Sequence, residues 1–330
     1  MPLDLLVPDL LLPPDAPPAF RSTRLRSLER WLARADVERD PAANAAAWLA
    51  QAFAIGDPPV AALDRLGEGA PTDGAWMRAD PVHLRIDRDS LRLHDASLLD
   101  VGRDEAAALV AALQAHFGAD GLEFHAAAPD RWYVRLAAGE APRTTPLADA
   151  LGRNVFGLLP HDGRWRAAMT EAQMILSNHA VNERREAQGR IAINSIWFWG
   201  AGPLPEPSRK PYAAVHSGDP FARGLAKWSG AEARPVPASI SEVDLVRVGD
   251  GVLVAIDDLS RPLRRGDAEA WATAAASLDE RWFASLSRAI DRFDRVRLVL
   301  PAAGATCVAT LTRAARWRWY RSAKPLSAYA

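Results

Sequence analysis

The chain is short of most features that would assign a function at sight. Cysteine occurs once, at Cys307, which excludes an internal disulfide and fits a reducing compartment. In the strand-like run around it, a buried and inert thiol is expected rather than a nucleophile. No apolar run approaches the roughly 18 residues that a spanning helix needs. Net charge is only −1, so no global field draws nucleic acid or an anionic membrane to the surface. Walker A, H-E-x-x-H, G-x-S-x-G and paired C-x-x-C motifs are missing, and Gly67-Glu-Gly69 does not continue as G-x-G-x-x-G. Of seven histidines none follows His216. The opening Met1-Pro-Leu-Asp lacks a basic region and is broken by proline and aspartate, so it does not read as a signal peptide. A cytoplasmic location with no membrane partner is the expectation.

What is present is ordinary globular material. The 330 residues, 49% apolar and 25% charged, suffice for one large α/β domain or two domains with a full core. Residues 3–7 read as a buried strand, followed by a Pro-rich turn and helices over about 23–36 and 42–54. Between Asp73 and Gly157 the pattern is strand-rich, with strands at Val82–Ile86, Leu91–Leu93, Leu122–Ala126 and Trp132–Leu136. A helix runs over Asp104–Phe117, with acids in its first turn. In the last third, Gly251–Asp257 is a near-continuous apolar strand of the kind covered on both faces. A long helix over Asp267–Arg292 follows, then strands at Val296–Leu300 and Ala305–Leu311.

One stretch organises the chain, Ser177 to Gly202. Apolar spacing from Trp165 to about Ala187 predicts one helix, Gly189 breaks it, and the β-branched and aromatic run Ile191–Trp199 predicts a strand. On that strand Trp197 and Trp199 share one face and Ile196 and Phe198 the other, both faces being largely buried. Asn182, Arg185 and Asn194 around the turn are either a polar cluster for a carboxylate or phosphate, or simply turn and helix residues.

The motif His179-Ala-Val-Asn182-x-x-Arg185, followed by Gly189-Arg-x-Ala192-Ile-Asn194-x-Ile196-Trp-Phe-Trp199-Gly-x-Gly202, resembles the archaeal-type cofactor-independent phosphoglycerate mutases of the alkaline-phosphatase superfamily. Bacterial degenerate relatives carry labels such as phosphoglycerate-mutase-like or regulatory protein of a pathogenicity-factor cluster. Arg78-Ala-Asp80-Pro-Val-His-Leu84 and Thr145-Pro-Leu-Ala148-Asp149-Ala-x-Gly152 extend the resemblance upstream, with alanine at position 148 where the family has histidine. The resemblance implies an α/β fold with an alkaline-phosphatase-like sheet covered by helices on both faces, formed by residues 1–74 and 206–330. A smaller inserted α+β substrate-cap-like domain would span 75–205. It implies Arg78, Asp149, Asn182, Arg185 and Asn194 as ligand-binding residues.

The family's chemistry fares worse. Its serine falls near Ala47-Trp48, its late D-H pair near Pro301-Ala302, and its D-E-x-x-H near Asp257-Asp258-Leu-Ser-Arg261. Asp9, Asp257 and Asp258, with Asp267, are the weak candidates for an all-carboxylate Mn²⁺ or Mg²⁺ site, against the simpler roles of strand end and helix cap. The expectation is therefore a mutase-like protein that has lost catalysis, with no cofactor, no assignable catalytic residue and a regulatory role. Its partner would be a small phosphorylated acid or a protein. The alternative is an active mutase or phosphatase with a rearranged metal site. The tail Arg313-x-x-Arg316-Trp-Arg-Trp-Tyr-Arg321-x-x-Lys324 interleaves bases with aromatics. It is expected as an edge strand with basic outer positions rather than a nucleic-acid platform.

Overall fold

The structure is a computed structural model and describes residues 1–13, 16–88, 90–137, 141–207, 209–243, 251–302 and 304–330. Pro14 and Asp15 of the Pro-rich turn lie outside the described residues. Among the described residues twelve strands follow in chain order: β1 Pro2–Leu6, β2 Asp36–Asp40, β3 Trp76–Asp87, β4 Ser90–His94, β5 Glu123–Ala128, β6 Arg131–Arg135, β7 Ser195–Gly202, β8 Tyr212–Ser217, β9 Glu232–Arg234, β10 Gly251–Ala255, β11 Arg295–Ala302 and β12 Ala305–Leu311. Among the described residues, no helix is long and apolar enough to cross a membrane.

The described residues group into two compact units. One comprises Met1–Asp57, Leu66–Glu68 and Pro207–Ala330; the other comprises Pro58–Arg65 and Gly69–Glu206. The second unit therefore starts earlier than residue 75. Asp64 and Arg65 are drawn into it by an ion pair with Arg78 and by the Trp76 ring, which lies 3.4 Å from the Arg65 guanidinium.

The first unit holds a seven-stranded sheet in the order β2-β12-β11-β1-β10-β8-β9. From β11 through β9 all neighbours are parallel, whereas β12 and β2 add an antiparallel edge. Leu3, Leu5, Val252, Val254, Val296 and Leu298 face a core completed by Trp31, Trp271, Trp282 and Phe283 from the helices. The apolar runs are continuous because both faces of these central strands are covered. Leu6, Leu253 and Val299, on the opposite face, are also fully buried. The edge strand β2 is different: Asp36, Val37, Glu38 and Arg39 are all exposed.

The helix expected over Asp267–Arg292 follows a helical path but changes character. Asp267 caps Ala268–Leu278, its Oδ1 accepting the Ala270 N–H at 2.9 Å. A π-turn then occupies Asp279–Ala284. It begins where the Asp279 carboxylate accepts the N–H groups of Ser27 and Leu28 at 3.1 and 2.8 Å, capping the Arg26–Arg34 helix. The tail is not a strand. Arg313–Trp317 is a 3₁₀ turn, with Arg316 and Arg318 held 2.6 Å from Asp291 and Asp36. The arginines are thus turned onto the unit while Trp317, Trp319 and Tyr320 stay exposed.

The second unit is an antiparallel sheet in the order β4-β3-β6-β5, with β7 also paired to β3. The helices Arg103–Phe117 and Gly163–Ser177 supply Leu109, Leu113, Trp165 and Leu176 to its core. Gly200 has φ +64°, and a Cβ there would lie 2.8 Å from that of Val60, so the motif's glycine is required by both conformation and space.

Candidate functional site

The 179–202 motif of the second unit folds as a clamp. Instead of one helix over 165–187 there are two, Gly163–Ser177 and Ala180–Ala187. The break occurs at His179, whose Nδ1 accepts the Val181 N–H at 3.1 Å and so caps the second helix. Gly189, at φ +69°, ends it.

The following residues do not pair as a strand until Ser195. Side chains take their backbone groups instead. Arg185 Nε donates to Ile191 O at 2.8 Å, and His83 Nδ1 lies 2.9 Å from Ala192 O. Asn182 donates to Ile193 O at 2.9 Å and to Leu176 O at 2.7 Å, and accepts the Ile193 N–H at 2.8 Å. Asn194 brackets Leu84, accepting its N–H at 2.8 Å and donating to its carbonyl at 3.0 Å. The other two Arg185 nitrogens reach Glu105 Oε2 at 2.6 Å and Leu99 O, so all three nitrogens are occupied. Burial lowers the Arg185 pKa, and the Glu105 charge opposes that shift.

Arg78 belongs to another network. Its Nε and Nη2 donate to Asp80 Oδ1 at 3.0 and 2.7 Å, and Nη1 pairs with Asp64. Trp199 Nε1 donates to the other Asp80 oxygen at 2.7 Å, and the Trp199 and Tyr133 rings lie 5.2 and 5.4 Å from the guanidinium. Burial works against the charge, but Asp80 and Asp64 outweigh it and push the Arg78 pKa above the ordinary arginine value. The two arginines share no partner. Trp197 and Phe198 are 1% exposed, whereas Trp199 is only half-buried. Its face of β7 is more open than the alternation alone implied. Asp149 is exposed on the short helix Leu147–Ala150, its carbonyl accepting from Arg153.

His83 also gives the unit a pH dependence. Burial, with help from His94 and Arg85, lowers its pKa below the usual 6.5. The unfolded chain therefore binds the proton first, and stability should fall as pH drops below about 6.5. His125, whose pKa burial also lowers, adds to this. Melting curves between pH 8 and pH 5 should show a shallower acid slope in His83→Gln, which can still donate to Ala192 O. An unchanged slope would remove His83 from the account.

In the first unit, Asp9 and Asp257 follow the carboxyl ends of the adjacent parallel strands β1 and β10, where open α/β sheets hold ligands. Asp9 has φ +60°, a conformation a non-glycine residue rarely adopts. Burial raises the Asp257 pKa, with the charges of Asp258 and Asp9 adding to it and Arg264 opposing. Yet among the described residues no group of three or more His, Cys, Asp or Glu side chains could hold a metal ion. The described residues thus offer no donor set that fits a two-metal centre. Ala47 and Trp48 lie on the helix Ala45–Ala52, with Trp48 buried and its ring 5.9 Å from the Arg297 guanidinium. Arg297 pairs with Asp4, opposite it in register on β1, and Tyr212 donates to the same carboxylate at 2.7 Å. The sequence reading missed this triad, although a lone acid and a lone base inside apolar strands were its visible signal.

No family model matches the chain. A probable 2,3-bisphosphoglycerate-independent phosphoglycerate mutase of Geobacter sulfurreducens is 31% identical over 185 residues, covering 55% of this chain and 41% of that protein. A 2,3-bisphosphoglycerate-independent phosphoglycerate mutase of Methanosarcina barkeri is 28% identical over 202 residues, covering 57% and 50%. The chain is phosphoglycerate-mutase-like. It spans about half the length of the curated relatives it matches. The PH0037 protein of Pyrococcus horikoshii shares the fold, at a TM-score of 0.54 and 13% identity over 94% of this chain and 87% of that one. The mixed α/β fold, a mostly parallel central sheet with helices, is the class that the resemblance implied.

Proposed function

We propose that this mutase-like protein has lost phosphoryl transfer and serves as a regulatory protein that binds a small phosphorylated acid. The observation that carries the reading is the residue pair Ala47-Trp48 at the position matching the family's serine. Neither side chain can accept a phosphoryl group, and Trp48 is built into the core against Arg297. The chain's carboxylates support the same reading. With no histidine after His216, Asp9, Asp257 and Asp258 would have to lower a nucleophile's pKa and steady a transferring phosphoryl group alone.

The purified protein is expected not to interconvert 2- and 3-phosphoglycerate, with or without Mn²⁺. Turnover above about 1 s⁻¹, the low end of typical kcat values, would overturn this. Catalysis through a rearranged site would also show as a Mn²⁺-dependent rise in melting temperature that Asp257→Asn abolishes, because a bound metal stabilises by mass action.

A further inference from the structure

The hairpin β3–β4 carries an arrangement that neither the clamp nor the Arg78 network uses. Its strands pair antiparallel in the register His83↔His94, Arg85↔Arg92 and Asp87↔Ser90. The intervening Leu84, Leu91 and Leu93 are buried in the unit's core. Side chains alternate between faces along a strand, so the histidines and arginines share the outward face. Arg85 and Arg92 are exposed, and neither takes an ion pair among the described residues. The two imidazoles lie beside them with ring centroids 6.0 Å apart. His83 is anchored through Nδ1 to Ala192 O, which leaves Nε2 as its second polar atom.

Like charges directly opposite on an antiparallel pair destabilise it. The arginine-on-arginine pair costs stability unless something neutralises it. Asp87 is the acid at the outward positions of these two strands, and among the described residues it makes no ion pair with either arginine. We propose that the outward face of β3–β4 is a binding site for a small doubly charged oxyanion of the phosphate-monoester kind, gripped between Arg85 and Arg92 and flanked by His83 and His94. Two planar guanidinium forks fit such an anion because each can offer paired N–H donors to its oxygens. The site lies within the second unit and goes beyond the regulatory reading, since it holds whether or not the first unit turns a substrate over.

Protonation couples to the site. His83 faces His94 across the strands and Arg85 along its own, with Arg92 and Asp87 next on the face. A bound dianion would favour the charged form of the His83 imidazole, which burial otherwise disfavours. Sulfate, whose own charge does not change over this range, should therefore bind more tightly at pH 6 than at pH 8.

The test is calorimetric titration of the full chain with inorganic phosphate, sulfate and glycerol phosphate at low ionic strength. The double variant R85Q/R92Q is compared with Arg184→Gln, an exposed arginine elsewhere in the unit, as control. Millimolar or tighter binding is expected, weakened at least about tenfold in the double variant and unchanged in the control. Without anion, the double variant should melt at the same temperature as the parent or higher, because a repulsive pair has been removed. Equal binding by all three proteins overturns the proposal, as does a lower melting temperature of the anion-free double variant. It also fails if only a single-stranded oligonucleotide or anionic vesicles, and not the small anions, distinguish R85Q/R92Q from the parent.

Discussion

Replacing Arg185 with alanine is expected to cost roughly 3–5 kcal/mol of stability while leaving phosphate affinity unchanged. The guanidinium is 1% exposed and all three of its nitrogens are engaged. Its removal strands the carbonyls of Ile191 and Leu99, and a buried acceptor without a partner costs on the order of 1–3 kcal/mol. Glu105 is less affected, because Arg190 still donates to it at 2.9 Å. Lysine should rescue little, since one ammonium cannot span three acceptors fixed around a planar fork. Urea denaturation gives the stability and calorimetric titration the affinity. A stable variant that no longer binds phosphate would reverse the assignment and make Arg185 a ligand residue.

Arg78 should behave differently when removed, although the loss is of similar size. Arg78→Gln takes the paired guanidinium away from the buried Asp80 and Asp64 carboxylates, which should cost roughly 3–5 kcal/mol near neutral pH. The orphaned carboxyls would then have raised pKa values in the folded state. Stability would be greatest where they are protonated and would fall as pH rises through those values. The deficit relative to the parent should therefore be smaller at pH 5 than at pH 8. A deficit independent of pH would mean that the lost packing against Trp199 and Tyr133 is the whole effect. Adding Asp64→Asn and Asp80→Asn should recover part of the loss, since the charges rather than the volume are the source.

Much of the architecture was legible in the sequence because it is written in periodicity. The near-continuous apolar runs of β1, β10 and β11 announce a parallel sheet covered on both faces. The β-branched and aromatic run over Ile196–Trp199 announces a strand as plainly. What was not legible depends on partners far away in the chain. Ile191–Ile193 looks like strand, but its carbonyls are taken by Arg185, His83 and Asn182, and no propensity scale records those. The break at His179 is a local competition in which a capping side chain displaces a helical turn. The motif residues can be named from the sequence, yet their identity cannot say whether an arginine grips a ligand or a carbonyl. Arg85 and Arg92 were passed over because each alone is an unremarkable surface arginine. Only the register sets them opposite each other.

The exposed strand β2 bears on how the molecule behaves in company. At the rim of a seven-stranded sheet, unsatisfied backbone groups invite a neighbouring chain to add a strand and continue the ladder. Here the rim reads Asp36-Val37-Glu38-Arg39-Asp40, so an incoming identical strand would have to desolvate four charged side chains of five along with its own. The opposite rim, β9, is three residues long and offers too little length for a lasting hold. Concentrated solutions should thus resist fibre growth through this sheet. Neutralising the rim with Glu38→Val and Asp40→Val should be enough to bring on a thioflavin-positive phase that the parent lacks.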